Sequence, residues 1–338
     1  MKKAYLYKKL SDKKVQCLNC AHRCVILPGK RGICGVRENI NGKLYSLVYG
    51  KAVAIHVDPI EKKPFFHFLP GSYSLSVATV GCSFACKNCQ NWDISQGPKL
   101  TGKIEGEDVS PEEIVEMAKK HKLPSISYTY TDPVVFSEYT LDTMKLAKKA
   151  GLKNNWVTNG FLSKELLDLI SPYLDAANVD LKGFTEEFYQ TNCGGKLGPV
   201  LDTLIGMKQK KIWVEVTTLV IPTLNDQEEI FKNIAKFIKE ALGPETPWHI
   251  SQFCGAISWK LQHLLDTPVE TLKRAWEIGK ETGLKYVYTG NVPGLPSEDT
   301  FCPKCNALAI NRTGYLISRH DKSGKCAKCG ENLNIIIK

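Results

Sequence analysis

The sequence predicts an α/β fold built on a partial or full parallel (β/α) barrel of the TIM type, flanked by two small cysteine-rich modules. The first observation is a regular alternation of strand-like and helix-like segments between residues 74 and 293. Such an alternation predicts a parallel sheet with its helices outside. The second is that neither GxGxxG nor GxxxxGKS follows any strand, which favours a barrel over a nucleotide-binding doubly wound sheet. The third is a cysteine group on either side of the alternating region.

Seven segments have the short apolar pattern of strands, and helical segments lie between them. Ser110 to Glu113 offers a capping box with Pro111 at the first helical position, and the segment from Thr267 to Glu270 repeats that signature. The strands are expected at residues 74–80, 125–130, 154–158, 176–181, 212–220, 248–253 and 285–288.

Two modules flank this region, which gives three predicted divisions: 1–70, 71–297 and 298–338. The first division is poor in helical periodicity, and its residues 43–59 alternate as two short strands are expected to. The last division carries two CxxC pairs and is too short for a hydrophobic core of its own, so it needs a metal to fold. It has the spacing of a zinc ribbon.

The composition is that of a globular protein. The chain has 338 residues, 43% hydrophobic and 24% charged, which excludes disordered, collagen-like and coiled-coil classes. Its net charge of +10 is spread over many helices, so nucleic acid is not an expected partner. The longest charge-free stretch is interrupted by Pro70, Gly71 and several serines, so no membrane span is expected. Since the basic start lacks the apolar core of a signal peptide, we expect a cytoplasmic protein.

Thirteen cysteines are the most unusual feature of the composition. In a large chain without an export signal, closely spaced cysteines indicate metal binding rather than disulfides. They form a group of four, a group of three, two isolated residues and a second group of four: Cys17, Cys20, Cys24 and Cys34; Cys82, Cys86 and Cys89; Cys193 and Cys254; Cys302, Cys305, Cys326 and Cys329.

The central group forms a CxxxCxxC loop directly after the first predicted parallel strand. Three thiolates on one short loop can bind three irons of a four-iron cluster and leave the fourth iron open. The alternative is a structural zinc site that takes a fourth ligand, such as His67, from elsewhere. The position favours the cluster, because the carboxyl end of a barrel strand is where that fold places its chemistry.

The segments around these cysteines resemble a known family. The loop GCSFACKNCQNWDISQ is similar to the signature of the radical SAM superfamily. With it, the segments CLNCAHRCVILPGKRGICGVREN, VDPIEKKPFFHFLPGS, VTNG, VDLKGF and GNVPG resemble the AmmeMemoRadiSam-system radical SAM enzymes, which are relatives of pyruvate formate-lyase activating enzyme. The resemblance covers nearly the whole chain.

The resemblance implies a [4Fe-4S] cluster on Cys82, Cys86 and Cys89, with S-adenosylmethionine (SAM) bound at the open iron. In this superfamily, one electron passed to SAM usually gives a 5′-deoxyadenosyl radical, which abstracts hydrogen from the substrate. The expected partners are SAM, an electron donor such as ferredoxin or flavodoxin, and an unidentified substrate. A protein activated through a glycyl radical is the first substrate hypothesis, and radical modification of a small molecule or another macromolecule is the second.

The resemblance also implies nine cofactor-binding residues in the loop and at the ends of the next strands. After the second strand the chain lacks the glycine-rich turn of the activating enzymes, so the SAM contact there is left to its threonines and aspartate. For Asp180 and Lys182, the alternative is a surface ion pair worth under about 1 kcal/mol. The nine are Phe84, Asn88, Asn91, Thr129, Thr131, Asp132, Thr158, Asp180 and Lys182.

Two candidate catalytic residues lie on and after the sixth strand. His249 alternates with Ser251 and Phe253, so it is a candidate acid, hydrogen donor or SAM contact, with a structural histidine as the alternative. Cys254 follows the strand where the family usually has a HisPro or PhePro sequence, in a region where substrate would lie.

The outer cysteine groups each have enough thiolates for a closed site. For the last group, two CxxC knuckles predict zinc. For the first group, structural zinc is preferred and a second iron–sulfur cluster is the alternative. The rival for the whole protein is a zinc-binding RNA or protein adaptor, in which the central cysteines form a third zinc site.

Overall fold

The computed structural model describes residues 1–292 and 296–337, and its centre is an eight-stranded sheet. The strands lie side by side in chain order; the first two run antiparallel to each other, and every other neighbouring pair is parallel. They are β1 (Ala54–Pro59), β2 (Tyr73–Ala78), β3 (Ser125–Tyr128), β4 (Lys153–Thr158), β5 (Ala176–Asp180), β6 (Trp213–Val220), β7 (Trp248–Gln252) and β8 (Val287–Gly290). Each of the seven predicted strands is present, and the mostly parallel α/β sheet is confirmed.

Strand β1 was part of a segment for which two strands were predicted. That segment instead contains three, Lys43–Ser46, Lys51–Ala52 and β1. Strand β1 runs antiparallel to β2 and adds an edge to the central sheet, although it falls in the first predicted division. Within the described residues β1 and β8 form no ladder with each other, so the sheet has two edges.

Seven helices connect the parallel strands. They are α1 (Trp92–Thr101), α2 (Pro111–Lys120), α3 (Ser137–Lys149), α4 (Lys164–Ile170), α5 (Leu197–Gln209), α6 (Glu228–Phe237) and α7 (Val269–Thr282). Shorter turns occupy Ile60–Lys62, Pro133–Phe136, Glu186–Phe188, Tyr189–Cys193, Ile238–Leu242, Gly255–Ile257 and Pro296–Glu298. The apolar faces of helices α1 to α7 pack on the sheet, and together they form one continuous hydrophobic core.

The two predicted helix starts have different outcomes. The capping box before α2 is confirmed, because Ser110 Oγ accepts from the Glu113 amide and the Glu113 carboxylate accepts from the Ser110 amide. The second capping prediction is wrong. Thr267 Oγ1 accepts from the Phe253 amide and donates to the Val220 carbonyl, so it ties β6 to the end of β7 and does not cap α7.

The N-terminal segment forms two small antiparallel sheets beside the central one. One contains Lys2–Lys3, Lys43–Ser46 and Arg37–Ile40, and the other contains Tyr7–Lys9, Val15–Cys17 and Val25–Ile26. A further two-stranded pair joins Lys51–Ala52 to Glu107–Asp108. The segment is anchored by a buried ion pair, in which Arg37 Nη2 lies 2.6 Å from Glu138 Oε2 on α3.

The C-terminal segment forms a three-stranded antiparallel sheet of Thr300–Phe301, Leu308–Thr313 and Leu316–Arg319. It packs on the segment before β2, where Arg312 Nη2 donates to Phe66 O at 2.8 Å and Ile336 N donates to His67 O at 2.7 Å. No helix in the described part of the chain is long and apolar enough to cross a membrane. In the GNVPG segment, Pro293 and Gly294 lie outside the described residues, as does Lys338.

Candidate active site

The central cysteines lie on the loop that follows β2, at the carboxyl end of the parallel strands. Cys86 is buried, and Cys82 and Cys89 are half-buried. Burial raises the pKa of Cys82 and Cys89, so neither thiol ionises readily without a bound cation. Among the described residues, only the C-terminal cysteines have their sulfurs all within 4.8 Å of one another, so the central three are more widely spaced.

One side of the loop is fixed by backbone hydrogen bonds to the π-helical turn Tyr189–Cys193. The amide of Ala85 donates to Cys193 O and the amide of Lys87 donates to Asn192 O, both at 2.9 Å. Asn192 Nδ2 also donates to Asn88 Oδ1 at 2.8 Å. Asn88, predicted as a cofactor contact, therefore has its side-chain oxygen engaged in holding the loop.

Asp132 connects the loop to the ends of β3 and β4. Its two carboxylate oxygens accept from Ser83 Oγ at 2.7 Å and from Thr158 Oγ1 at 2.8 Å. Asn159 Nδ2 donates to Ser83 Oγ at 2.9 Å and lies 3.8 Å from Cys82 Sγ. Burial raises the pKa of Asp132. Two predicted residues, Asp132 and Thr158, thus meet beside the first cysteine.

Phe84 supports the loop from the core side. Its ring is 1% exposed and lies 4.9 Å from the Phe161 ring, centroid to centroid. On the other side Gly195 is so close that an added Cβ would lie 2.2 Å from Phe84 Cε1. The ring is thus packed within the core. Residue 195 must be glycine because a Cβ there would collide with the Phe84 ring, and not because its backbone angles are unusual.

A segment after β7 covers the other side of the loop. The amide of Trp259 donates to Cys89 O at 3.1 Å, and the amide of Lys260 donates to Lys87 O at 2.8 Å. The Trp259 ring stacks on Trp92, with centroids 6.3 Å apart and planes within 10°. Sequence reasoning missed this contact, because its hydrogen bonds come from the backbone. The tryptophan in GAISWK was the one visible signal.

Asp180 and Lys182 form an ion pair beside the loop, with Lys182 Nζ 2.8 Å from Asp180 Oδ2. Burial opposes the charge of Lys182, but Asp180 and the thiols of Cys86 and Cys193 raise its pKa well above the ordinary value. The side chain of Lys182 is 17% exposed, so the pair is not a fully solvated surface contact. It places a cation next to Cys86 and Cys193.

Cys193, one of the two isolated cysteines, is fully buried next to this group. The neighbouring thiol of Cys193 raises the pKa of Cys86. An isolated cysteine in a glycine-rich segment such as TNCGGKLG is by default an inert buried thiol. Its neighbours now place it beside the central cysteines.

Three other predicted residues hold strand ends together. The Thr129 amide donates to Val77 O at 3.0 Å, and Thr131 Oγ1 donates to Thr79 O at 2.7 Å. Asn91 Nδ2 donates to the carbonyl of Tyr130 at 2.9 Å. These residues lie around the loop, with the polar side chains of Thr131 and Asn91 already bonded to backbone.

His249 is not brought to the loop. It is the second residue of β7, it is buried, and its Nε2 lies 2.7 Å from Glu215 Oε2 near the amino end of β6. The rings of Phe66 and Tyr288 pack on it, with centroids 4.7 and 5.4 Å away. These contacts are those of the structural histidine that was its alternative role.

Cys254 follows β7 and is half-buried, directly before the segment that carries Trp259. Among the described residues it forms no hydrogen bond through its thiol. His67, the alternative fourth zinc ligand, has both ring nitrogens engaged, since Nε2 bonds to Tyr288 Oη at 2.6 Å and Nδ1 to Leu333 O at 3.0 Å.

The four C-terminal cysteines form a second compact site. The sulfurs of Cys302 and Cys329 are 3.6 Å apart, as are those of Cys305 and Cys326. All four sulfurs lie within 4.8 Å of one another. This arrangement brings four potential thiolate ligands around one point, as a metal site requires.

Comparison with known proteins agrees with the loop geometry. The radical SAM superfamily matches residues 76–237, a range that begins within β2 and contains the cysteine loop and strands β3 to β6. The chain belongs to the radical SAM superfamily. It is a radical SAM enzyme, and the iron–sulfur, metal-binding class predicted for it is confirmed.

Several relatives are similar over large parts of the chain. An uncharacterised protein of Methanocaldococcus jannaschii is 44% identical over the whole length of both chains. A putative glycyl-radical enzyme activating enzyme of the same organism is 31% identical over 49% of this chain and 63% of its own. The pyruvate formate-lyase-activating enzyme of Clostridium pasteurianum is 23% identical over 50% of this chain and 72% of its own.

Among solved structures, Streptococcus suis SuiB bound to S-adenosylmethionine has a TM-score of 0.51 at 10% identity, covering 65% of this chain and 51% of that one. A radical SAM methyltransferase of Sphaerobacter thermophilus has a TM-score of 0.50 at 13% identity, covering 65% and 66%. At these identities the likeness concerns the fold.

Proposed function

We propose that this enzyme binds a [4Fe-4S] cluster through Cys82, Cys86 and Cys89 and uses it to cleave SAM reductively. The observation that carries the proposal is a three-cysteine loop fixed at the carboxyl end of β2 in a radical SAM chain. Cys82, Cys86 and Cys89 would hold the cluster, which would supply the single electron that reductive cleavage of SAM to a hydrogen-abstracting radical requires.

The residues present fit such a cluster better than a zinc ion. Four thiolates around one zinc at 2.3 Å lie about 3.8 Å apart, whereas cluster thiolates bind different irons. The wider spacing of the central three sulfurs suits the second case. His67 is bonded elsewhere, which removes the fourth ligand named for a zinc site.

The chain's own residues position the loop and the cofactor. Asp132 accepts a hydrogen bond from Ser83 and so fixes the orientation of the adjacent Cys82. The close contact of Phe84 with Gly195 fixes the distance of the loop from the core. SAM carries both an ammonium and a carboxylate, which complement Asp180 and Lys182. The Trp259 segment lies over the loop, and its place suits exclusion of water.

For the substrate, we propose a protein that the enzyme activates through a glycyl radical, with an electron donor of the ferredoxin or flavodoxin class. The proposal is supported by two relatives, one a putative glycyl-radical enzyme activating enzyme and the other a pyruvate formate-lyase-activating enzyme. Superfamily membership does not favour the zinc-adaptor alternative.

We also propose that the C-terminal cysteines bind zinc in a ribbon and that the sheet curves as a partial barrel. The sulfur separations of 3.6 Å support zinc, since they are close to the roughly 3.8 Å of a tetrahedral zinc site. Strands in chain order with seven intervening helices support the barrel.

The experiment is anaerobic incubation of the purified enzyme with SAM and dithionite, followed by mass spectrometry of the nucleosides. We expect 5′-deoxyadenosine from the wild type and background amounts from Cys86→Ala. Methylthioadenosine instead would contradict the proposed cleavage, and no SAM product from an iron-loaded wild type would contradict the function as a whole.

A further inference from the structure

The N-terminal cysteines surround a cavity rather than a point. Cys17, Cys20, Cys24 and Cys34 all line one cavity that is partly open to solvent. Within the described residues no three of their sulfurs lie all within 4.8 Å of one another, in contrast to the C-terminal group. A single tetrahedral ion holds its sulfurs in near contact, whereas a cluster separates them.

Arg37 lines the same cavity and carries an unpaired donor. Arg37 is 2% exposed, and its Nη atoms donate to Glu138 and Ser137. Its Nε has no acceptor among the described residues. A buried N–H without a partner is costly, and thiolate or sulfide sulfur is an acceptor that iron–sulfur sites offer.

The cavity also borders the active-site loop. Ser83 lines it, and His22 Nε2 donates to the carbonyl oxygen of Ser83 at 3.0 Å. His22 is two residues after Cys20, and Ser83 directly follows Cys82. Two residues of chain span at most about 7 Å, so one short chain segment and one hydrogen bond connect the two cysteine groups.

We propose that Cys17, Cys20, Cys24 and Cys34 bind a second [4Fe-4S] cluster, which passes single electrons to the central cluster. The second site stands on its own geometry, and its role as a relay rests on the proposed function. A reduced carrier of the ferredoxin class gives one electron to the second cluster, taking it from the 2+ to the 1+ state. The same electron then reduces the central cluster, and no proton moves and no bond changes.

The site is tested in the full-length chain with Cys82, Cys86 and Cys89 all replaced by Ala. After anaerobic purification we expect about four irons and four sulfides per chain, together with one zinc, and Mössbauer parameters of a [4Fe-4S] cluster. Adding Cys20→Ala and Cys24→Ala should reduce iron to background and leave the zinc. Iron at background in the triple variant, with or without a second zinc, would overturn the site.

The wild type provides an independent count that needs no variant to fold. About eight irons per wild-type chain support two clusters. If the wild type holds about four irons and the triple variant holds none, the second site is overturned. If the triple variant keeps all four, the second site stands and the central cluster of the proposed function fails. The two failures are therefore distinguishable.

The relay is tested by comparing two reductants in the Cys20→Ser, Cys24→Ser double variant, with iron of the central cluster quantified first. We expect SAM cleavage driven by reduced ferredoxin to fall at least about tenfold, and cleavage driven by dithionite to stay within about twofold of wild type. An equal effect on both reductants, whether a loss or no change, would overturn the relay.

Discussion

Ser83 Oγ donates a 2.7 Å hydrogen bond to Asp132 Oδ2, and this contact joins the cysteine loop to the end of β3. The other carboxylate oxygen accepts from Thr158 at the end of β4. One buried carboxylate thus joins three chain segments directly beside Cys82.

Replacing Asp132 with Ala should weaken both the loop and the fold. It leaves the hydroxyls of Ser83 and Thr158 without their acceptor, at a cost of about 1–3 kcal/mol for each buried group. We expect a lower free energy of unfolding, incomplete iron loading and slower SAM cleavage. Asp168→Ala on the surface of α4 is the control, and equal iron content and activity in both variants would disprove the positioning role.

Gly195→Ala should displace the loop from the core side. The new Cβ would lie 2.2 Å from the Phe84 ring, which is itself packed against Phe161, so the ring and the loop must move. We expect iron content and SAM cleavage to fall severalfold, with overpacking costing about 1–3 kcal/mol of stability. Gly198→Ala is the matched control, because nothing lies within 4 Å of its added Cβ. If the two variants behave alike, the close packing is not what positions the loop.

The C-terminal module should depend on its metal. Because the hydrophobic cluster of this module is small and includes two of the cysteines, Cys302→Ala should remove metal-linked folding energy of roughly 10 kcal/mol or more. We expect loss of one zinc and protease cleavage after Glu298, while the iron content is retained. Lys304→Ala in the same knuckle is the control. Unchanged protease resistance of the region after Glu298 in Cys302→Ala would refute the zinc ribbon.

The buried ion pair of Asp58 and Lys63 predicts a pH dependence of stability. Lys63 Nζ lies 2.7 Å from Asp58 Oδ2. Burial alone would raise the pKa of Asp58, but hydrogen bonds from Lys63, Tyr130 and Lys62 hold it well below its usual range. A depressed folded-state pKa contributes stability above the unfolded-state pKa of about 4, and this contribution is lost as the pH falls.

Asp58→Asn should therefore be destabilised by about 3 kcal/mol at pH 7, because it leaves a buried cation unpaired. Below about pH 4 the difference from wild type should shrink by up to about 1.4 kcal/mol per pH unit. Denaturant unfolding at pH 3 and pH 7 measures this. A difference that stays constant or grows on acidification contradicts the assignment of the pair.

The parallel sheet was predictable because each strand is a short apolar run bounded by helix signals. Strand β1 was not assigned to that sheet, since its alternating pattern fits any half-buried strand and its partner β2 is joined through an intervening turn. Thr267 shows the same limit, because a capping sequence does not reveal that the hydroxyl bonds to β6 and β7 instead. The three-part division of the chain stays a prediction.

In the active site, the cysteines and Asp132 could be named because their spacing and strand-end positions carry a signal. The residues that hold the loop could not. Gly195 acts through closeness to Phe84, and Trp259 through a backbone amide, and neither leaves a pattern in sequence. His249 was predicted as a catalytic residue from the alternation of its strand. Alternation indicates which face of the strand a side chain occupies, but not whether it lies near the amino or the carboxyl end. Its partner Glu215 lies near the amino end of β6.

The most direct test of the central claim is the low-temperature paramagnetic resonance spectrum of the reduced enzyme, recorded with and without SAM. Direct binding of SAM at an open iron predicts a clear change of the signal on adding SAM. We expect this SAM-dependent change to be absent in Cys86→Ala, together with a loss of iron. A spectrum that SAM leaves unchanged in the wild type, with full metal content retained in Cys86→Ala, would contradict a cluster held by Cys82, Cys86 and Cys89.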